Sequence, residues 1–309
     1  MASPPHIVGI ALLRNEEHFV TWVLRNVVDF CDELIVLDNQ STDRTPDRIA
    51  EIADAFPNVT VHECPDPNTS QKYIEHYAGE RVWVFGVDGD EVYDPAGLAR
   101  LRPRLLSGEF DGAWRLDGHA LNAVRVDLDA GYAEGHAVPA TPPGTKLYNF
   151  AAIDSWHEPE KQRLHGHRMV FRPGFSKTTV HPLYEDEDWS GADLRLLHLC
   201  FFPRTPSSEI SPAKRPNPSF VKARGLRRGL IHLQNFLARP FSSEASYKTR
   251  RYARGPLVRR DIAAFGRPRD FSETSPAVHQ AESVLRKQWM GSGPHGRSTS
   301  IPGMHEEAP

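Results

Sequence analysis

Apolar runs that stop at acidic residues, separated by stretches of helical period, constrain what the first hundred residues can build. Residues 7–13, 34–37 and 82–87 are continuous apolar runs with β-branched members, as strands buried on both faces require. Between them, Phe19, Trp22, Val23 and Val27 fall on one side of a helix, and Ile49, Ile52, Ala53 and Phe56 on one side of another. Residues 59–61 supply a further short strand. Asn15 is expected to cap the first helix, with Glu16 and Glu17 in its first turn. Thr45-Pro46 and Asp94-Pro95 read as cap and first-turn proline of two more helices. The order β-α-β-α-β calls for an open, mainly parallel sheet, whose ligands bind beyond the carboxyl ends of its strands. The polar clusters sit at those ends: Arg14-Asn15-Glu16, Asp38 to Asp43, and Asp88-Gly89-Asp90-Glu91.

After residue 110 the pattern shortens. Segments 113–116, 146–150, 168–171 and 194–202 are candidate strands, and five prolines within 203–218 mark an irregular connection. Segments 220–238 and 244–265 are basic and compatible with helix. These features divide the chain into 1–110, 111–203, a basic and mostly helical extension at 204–290, and a disordered tail at 291–309. Charge follows the same division: 204–269 carries +13, 270–309 carries −2, and the first 203 residues carry −14. An acidic body opposes a nucleic-acid duplex, so that partner is not expected. No apolar run approaches the ~18 residues of a membrane span, and no signal-peptide pattern opens the sequence, so a cytoplasmic protein is expected. Cys31, Cys64 and Cys200 are widely spaced and read as reduced thiols.

Two carboxylates one residue apart at a buried strand end, Asp88 and Asp90, suit a hard divalent cation that also takes phosphate oxygens. Alone the pair also fits a solvated turn, and Asp127-Leu128-Asp129 repeats the spacing with no apolar strand before it. Position at the sheet edge favours the functional reading for Asp88 and Asp90. Asp38 ends its strand facing the same crevice, where a carboxylate can accept from a base or from ribose hydroxyls. The residues after it can equally be a polar loop leading to a capped helix.

In this order and spacing, Arg14-Asn15-Glu16-Glu17, then Val36-Leu37-Asp38-Asn39-Gln40-Ser41-Thr42-Asp43-Arg44-Thr45, then Asp88-Gly89-Asp90-Glu91, resemble the family 2 glycosyltransferases of the GT-A fold. The likeness is close over the first hundred residues and loose as far as Phe202. It implies an α/β fold of GT-A type, with an open, mainly parallel sheet flanked by helices and, here, a C-terminal helical basic extension. The first strand end (Leu12, Arg14, Asn15, Glu16) and Asp38 would hold the nucleoside, with Asp88 on the ribose. Asp90 would bind Mg²⁺ or Mn²⁺ on the diphosphate, and Glu91 is a weaker candidate at the metal or the sugar. The resemblance further implies a catalytic base about ninety residues after that motif, where Glu185-Asp186-Glu187-Asp188 falls; Asp186 is preferred, then Glu185. It also implies a late histidine as an extra metal ligand, for which His198 precedes His181. An acidic run is otherwise a solvated turn, and a histidine among leucines is otherwise a satisfied core residue.

The activity implied is inverting, metal-dependent transfer of a sugar from a nucleotide-diphosphate donor, with UDP-sugar favoured. The acceptor is a small molecule, a saccharide or a lipid-linked hydroxyl. Three other readings stand beside it: a nucleotidyltransferase, for which Leu13 to Glu17 lacks the needed glycines; a metal hydrolase built on histidines such as His165 and His167; and a silent nucleotide-sugar-binding module. Trp156-His157-Glu158 could shape the acceptor pocket. The arginines of 204–269 fit a solvated surface, a phosphate clamp, or peripheral contact with an anionic membrane.

Overall fold

The computed structural model describes residues 4–156, 164, 169–206, 250–268 and 283–285. The expectations for 157–158, 165–167, 220–238 and 291–309 lie outside the described residues. The strands are β1 (His6–Leu13), β2 (Glu33–Asp38), β3 (Val59–Glu63), β4 (Val82–Val87), β5 (Glu91–Tyr93), β6 (Arg115–Asp117), β7 (His119–Asp127) and β8 (Tyr132–Ala137). They continue with β9 (Leu147–Asn149), β10 (Ile153–Trp156), β11 (Met169–Phe171), β12 (Val180–Pro182), β13 (Arg195–His198) and β14 (Leu257–Asp261). The helices are α1 (Val20–Val28), α2 (Thr45–Ala55), α3 (Pro95–Ser107) and the single turn α4 (Leu183–Asp186). No helix among the described residues is long and apolar enough to cross a membrane.

Seven strands form the main sheet in the order β12-β6-β9-β4-β1-β2-β3. Pairing is parallel between β1 and β2, β1 and β4, β2 and β3, and β12 and β6. Only β9 runs against its two neighbours. The carboxyl ends of β1, β2, β4, β6 and β12 therefore share one edge. This is the open, mainly parallel, helix-flanked sheet expected of the GT-A type. Its strands alternate between two cores: Ile7, Ala11 and Leu13 pack with α1, α2 and α3, whereas Val8, Ile10, Ile35 and Leu37 pack with Trp114, Phe150 and Trp156.

The chain then builds a second sheet, β14-β8-β7-β13-β5, whose residues join the first core. The β7–β8 hairpin, 119–137, falls where no strand was anticipated. Its tip holds the second Asp-x-Asp: Asp127 accepts from the Ala130 N–H (2.9 Å) and Asp129 pairs with Arg267 (2.8 Å). A strand does precede that motif, but it ends at an exposed turn rather than at the ligand edge.

Three local expectations are corrected. Asn15 does not cap α1, which starts five residues later; it adopts φ +53°, and its side-chain oxygen accepts from the Thr42 N–H (2.8 Å). The loop after β2 has captured it. Thr45 opens α2 but caps nothing, because its hydroxyl accepts the Glu16 N–H (2.8 Å). Asp94 does cap α3, accepting from the Ala96 N–H (3.0 Å). Finally, Leu257–Asp261 lies within the stretch expected to be helical and is a strand antiparallel to β8. Gly255, at φ +73°, and Pro256 interrupt any helix entering it.

Candidate functional site

Strand β4 ends in a turn, closed by the Glu91 N–H donating to the Asp88 carbonyl (3.1 Å), that turns Asp90 inward to 2 % exposure. Gly89 allows this turn to lie against the loop after β1, since a Cβ there would fall 2.4 Å from Glu16 Cγ. The buried carboxylates of Glu16 and Asp90 are joined by one guanidinium. Arg204 Nη1 contacts Glu16 Oε1 at 2.9 Å, and Nη2 donates to Asp90 Oδ2. The backbone fixes that arginine as well: the His18 N–H donates to the Arg204 carbonyl (2.9 Å), and the Leu199 N–H to the Asp90 carbonyl (2.8 Å).

His198 closes the other side of Asp90. Its Nε2 lies 3.5 Å from Asp90 Oδ2, and its Nδ1 lies 2.8 Å from Asn122 Oδ1. Asn122 donates through Nδ2 to Thr141 Oγ1 (3.0 Å), so its oxygen is the acceptor and His198 Nδ1 carries a proton. Burial pushes this imidazole's pKa down, but the neighbouring Cys200 and Asp90 reverse that and raise it well above the ordinary value. On the opposite flank, Lys146 bridges Asp88 Oδ2 (2.9 Å) and Glu91 Oε1 (2.5 Å). Burial, aided by Asp88, raises the Glu91 pKa despite Lys146, and Glu91 Oε2 is buried without a hydrogen-bond partner.

Asp38 stands at the end of β2 in register with Leu13. Its Oδ2 accepts from the Ser41 N–H (3.2 Å), while its Oδ1 is buried with no hydrogen-bond partner. With Gln40 and Ser41 it lines a cleft of about 700 Å³ that extends between α2 and β3. Leu12, Arg14 and Asn15 are half-buried along the same edge. The order β2-β1-β4 sets Asp38 and Asp88 about 10 Å apart, two strand spacings. Asp88, Asp90, Glu16 and His198 thus form one cluster, with Asp38 next along the edge.

The acidic run is not part of that cluster. Following β12, it lies three strand spacings from β4, about 14 Å. There Asp186 Oδ2 meets His181 Nε2 (3.0 Å), and Glu187 pairs with Arg104 (2.9 Å) while accepting the Asp193 N–H. Glu185 and Asp186 border a second cavity of about 560 Å³. Sequence reasoning missed Arg204 and Lys146. Arg204 was one arginine among sixteen basic residues, and Lys146 opened a short strand; only three dimensions bring them to the Asp-x-Asp turn.

Residues 10–115 match the model of Glycosyl transferase family 2. Solved structures that match part of the chain include Staphylococcus aureus TarS with UDP (19 % identity, 38 % of this chain and 35 % of that one, TM-score 0.29). They also include the mannosyltransferase PcManGT from Pyrobaculum calidifontis with GDP-Man and Mn²⁺ (19 %, 40 % and 38 %, TM-score 0.29). A third is glucosyl-3-phosphoglycerate synthase from Mycobacterium tuberculosis with Mn²⁺, UDP and glucosyl-3-phosphoglycerate (24 %, 38 % and 44 %, TM-score 0.27). The chain spans less than half the length of each. No curated protein matches it at a significant level.

Proposed function

We propose, from the match of residues 10–115 to the model of Glycosyl transferase family 2, that this chain is a metal-dependent glycosyltransferase using a nucleotide-diphosphate sugar. One observation carries the reading: Asp38 at the end of β2 and Asp88 and Asp90 just past β4 leave parallel strands either side of β1 at one edge, and Asp88 and Asp90 share a cluster with Arg204, Lys146 and His198. Parallel sheets bind ligands at that edge. The unpartnered Oδ1 of Asp38 offers an acceptor for a base N–H or a ribose hydroxyl. Uridine is the base that the resemblance favours.

The donor set fits a hard divalent cation, Mg²⁺ or Mn²⁺. Asp90 Oδ2 and His198 Nε2 lie 3.5 Å apart, and Asn122 orients the imidazole from behind, as metal-binding histidines require. No group of three or more ligating side chains occurs among the described residues, so phosphate oxygens and water would complete the shell. When bound, the cation neutralises charge developing on the departing diphosphate. For that role Asp90 must exchange its contact with Arg204, and His198 must give up the Nε2 proton that its raised pKa favours. The freed guanidinium would stay tethered beside Glu16, able to meet phosphate oxygens in forked geometry. The proton acceptor for the attacking hydroxyl is assigned to the run after β12, with Asp186 preferred and Glu185 second.

Thermal shift with UDP-sugars and GDP-sugars, with and without Mn²⁺, tests the reading, since a ligand that binds only the native state raises its stability. A metal-dependent upward shift is expected. Asp90→Ala should lower transfer by about 10²–10³-fold and remove the Mn²⁺ dependence. Near-normal turnover in that variant would overturn the metal role of Asp90.

A further inference from the structure

Strand β4 is buried along its whole length, yet it carries a glycine at its penultimate position. Glycine weakens a strand interior and marks a place where another segment comes close. At Gly86 that segment is the start of β9. A Cβ there would fall 3.0 Å from Lys146 Cβ, 3.3 Å from Lys146 Cδ and 2.7 Å from Leu164 Cδ1, so the lysine stem lies directly over the glycine. The Gly86 N–H donates to the Lys146 carbonyl (2.7 Å), which fixes the backbone as well. Because β9 runs against β4, Lys146, just ahead of β9, stands at the ligand edge beside Asp88.

The ammonium group meets three acceptors, one for each of its N–H groups: Glu91 Oε1 (2.5 Å), Asp88 Oδ2 (2.9 Å) and the Gly144 carbonyl (3.3 Å). The two carboxylates differ in freedom. The Glu91 side chain is 3 % exposed, and pairing of β5 with β13 sets the residue opposite His198. The Asp88 side chain is 34 % exposed. An ion pair between two mobile surface groups fixes little, because both lose entropy on meeting. Here the lysine is already anchored by a buried carboxylate and a backbone carbonyl, so it is the lysine that orients the aspartate.

We propose that Lys146 is a positioning residue for the donor nucleotide, holding the Asp88 carboxylate in the orientation that accepts the ribose hydroxyls. The inference deepens the transferase reading given above and rests on it, since the ribose is the ligand which that reading gives Asp88. A carboxylate oriented before the ligand arrives has less freedom to lose on binding, and its hydrogen bonds to the hydroxyls are correspondingly tighter. The ammonium acts through Asp88 and needs no contact with the ligand.

Calorimetric titration of the whole chain with UDP and GDP, and with the dideoxyribose analogue of each, all with Mn²⁺, isolates the ribose contribution. The nucleotide that binds wild type is expected to bind at least about ten-fold more tightly than its analogue. Lys146→Met combined with Glu91→Gln removes the lysine without leaving a buried carboxylate uncompensated, and should shrink that preference by about three- to ten-fold. Lys146→Arg keeps the charge and should retain more of the preference than the double variant; it also serves, with an intermediate loss expected, should the double variant fail to fold, which a denaturation midpoint reports. A purely structural lysine would weaken both forms of the nucleotide alike and leave their ratio unchanged. Equal wild-type binding of nucleotide and analogue, or an undiminished ratio in the folded variants, would overturn this inference alone, because the nucleotide would still have bound. Failure of wild type to bind either UDP or GDP would overturn the transferase reading, and this inference with it.

Discussion

Asp90 accepts contacts from two cationic side chains at a single oxygen, and Arg204 serves two buried carboxylates. Removing one partner of such a set leaves charge buried without compensation, which costs about 3–5 kcal/mol. Arg204→Ala should lose stability near the lower end of that range, because its side chain is 18 % exposed. Millimolar Mn²⁺ should restore more stability to that variant than to the wild type, since a cation can then sit between Asp90 and Glu16. Chemical denaturation with and without metal measures this, and equal metal effects on the two proteins would refute it. The carboxylates were legible in the sequence because each ends its own strand, and a strand end is a local pattern. The basic partners were not: Arg204 meets Asp90 across 114 residues and Lys146 meets Glu91 across 55, separations that no local pattern encodes.

At the scale of elements, one carboxylate ties three of them. Asp32, just before β2, accepts from the Ile7 N–H (2.8 Å) at the start of β1 and from Arg102 of α3 (2.5 Å). Burial pushes its pKa up, but the Arg102 bond and the Ile7 amide outweigh this, so the folded value lies below the ordinary one. A carboxyl depressed on folding contributes stability above its unfolded pKa and loses it as pH falls through the folded value. Asp32→Asn should therefore destabilise more at pH 7 than at pH 3. Asp32 is 37 % exposed, so screening limits the charge contribution to about 0.5 kcal/mol. Denaturation midpoints at the two pH values decide it, and a constant difference would exclude the ion pair as its source. Helix starts were legible only where the cap stayed local. Asp94 is such a case, whereas Asn15 and Thr45 were claimed by the opposite loop.

For the whole molecule, residues 250–268 are part of the fold rather than an appendage to it. Strand β14 adds an edge to the second sheet, and Phe265 is fully buried against α1. The Trp22 and Asn26 side chains donate to the Phe265 carbonyl (2.8 and 2.9 Å), and Trp189 stacks on its ring. Phe265→Ala should cost about 3–5 kcal/mol, read from a denaturation curve, and a loss below about 1 would show that this segment is peripheral. The parallel sheet was legible from the alternation of the first hundred residues. Strand β14 was not, because its basic sequence suits a helix and its partner β8 lies more than a hundred residues earlier. Within the described residues, the basic excess after position 203 is distributed over particular contacts: Arg204 at the carboxylates, Arg259 on Tyr132, and Arg267 on Asp129.

The position of Arg204 has a consequence for synthesis. A ribosome releases the acidic turns of the first hundred residues well before the one guanidinium that joins them. The nascent chain must therefore carry Glu16 and Asp90 hydrated or protonated, and that pocket can close only once residue 204 has cleared the exit tunnel. A fragment ending ahead of that point should remain loosely packed at the sheet edge and tighten when a peptide containing 195–206 is supplied in trans.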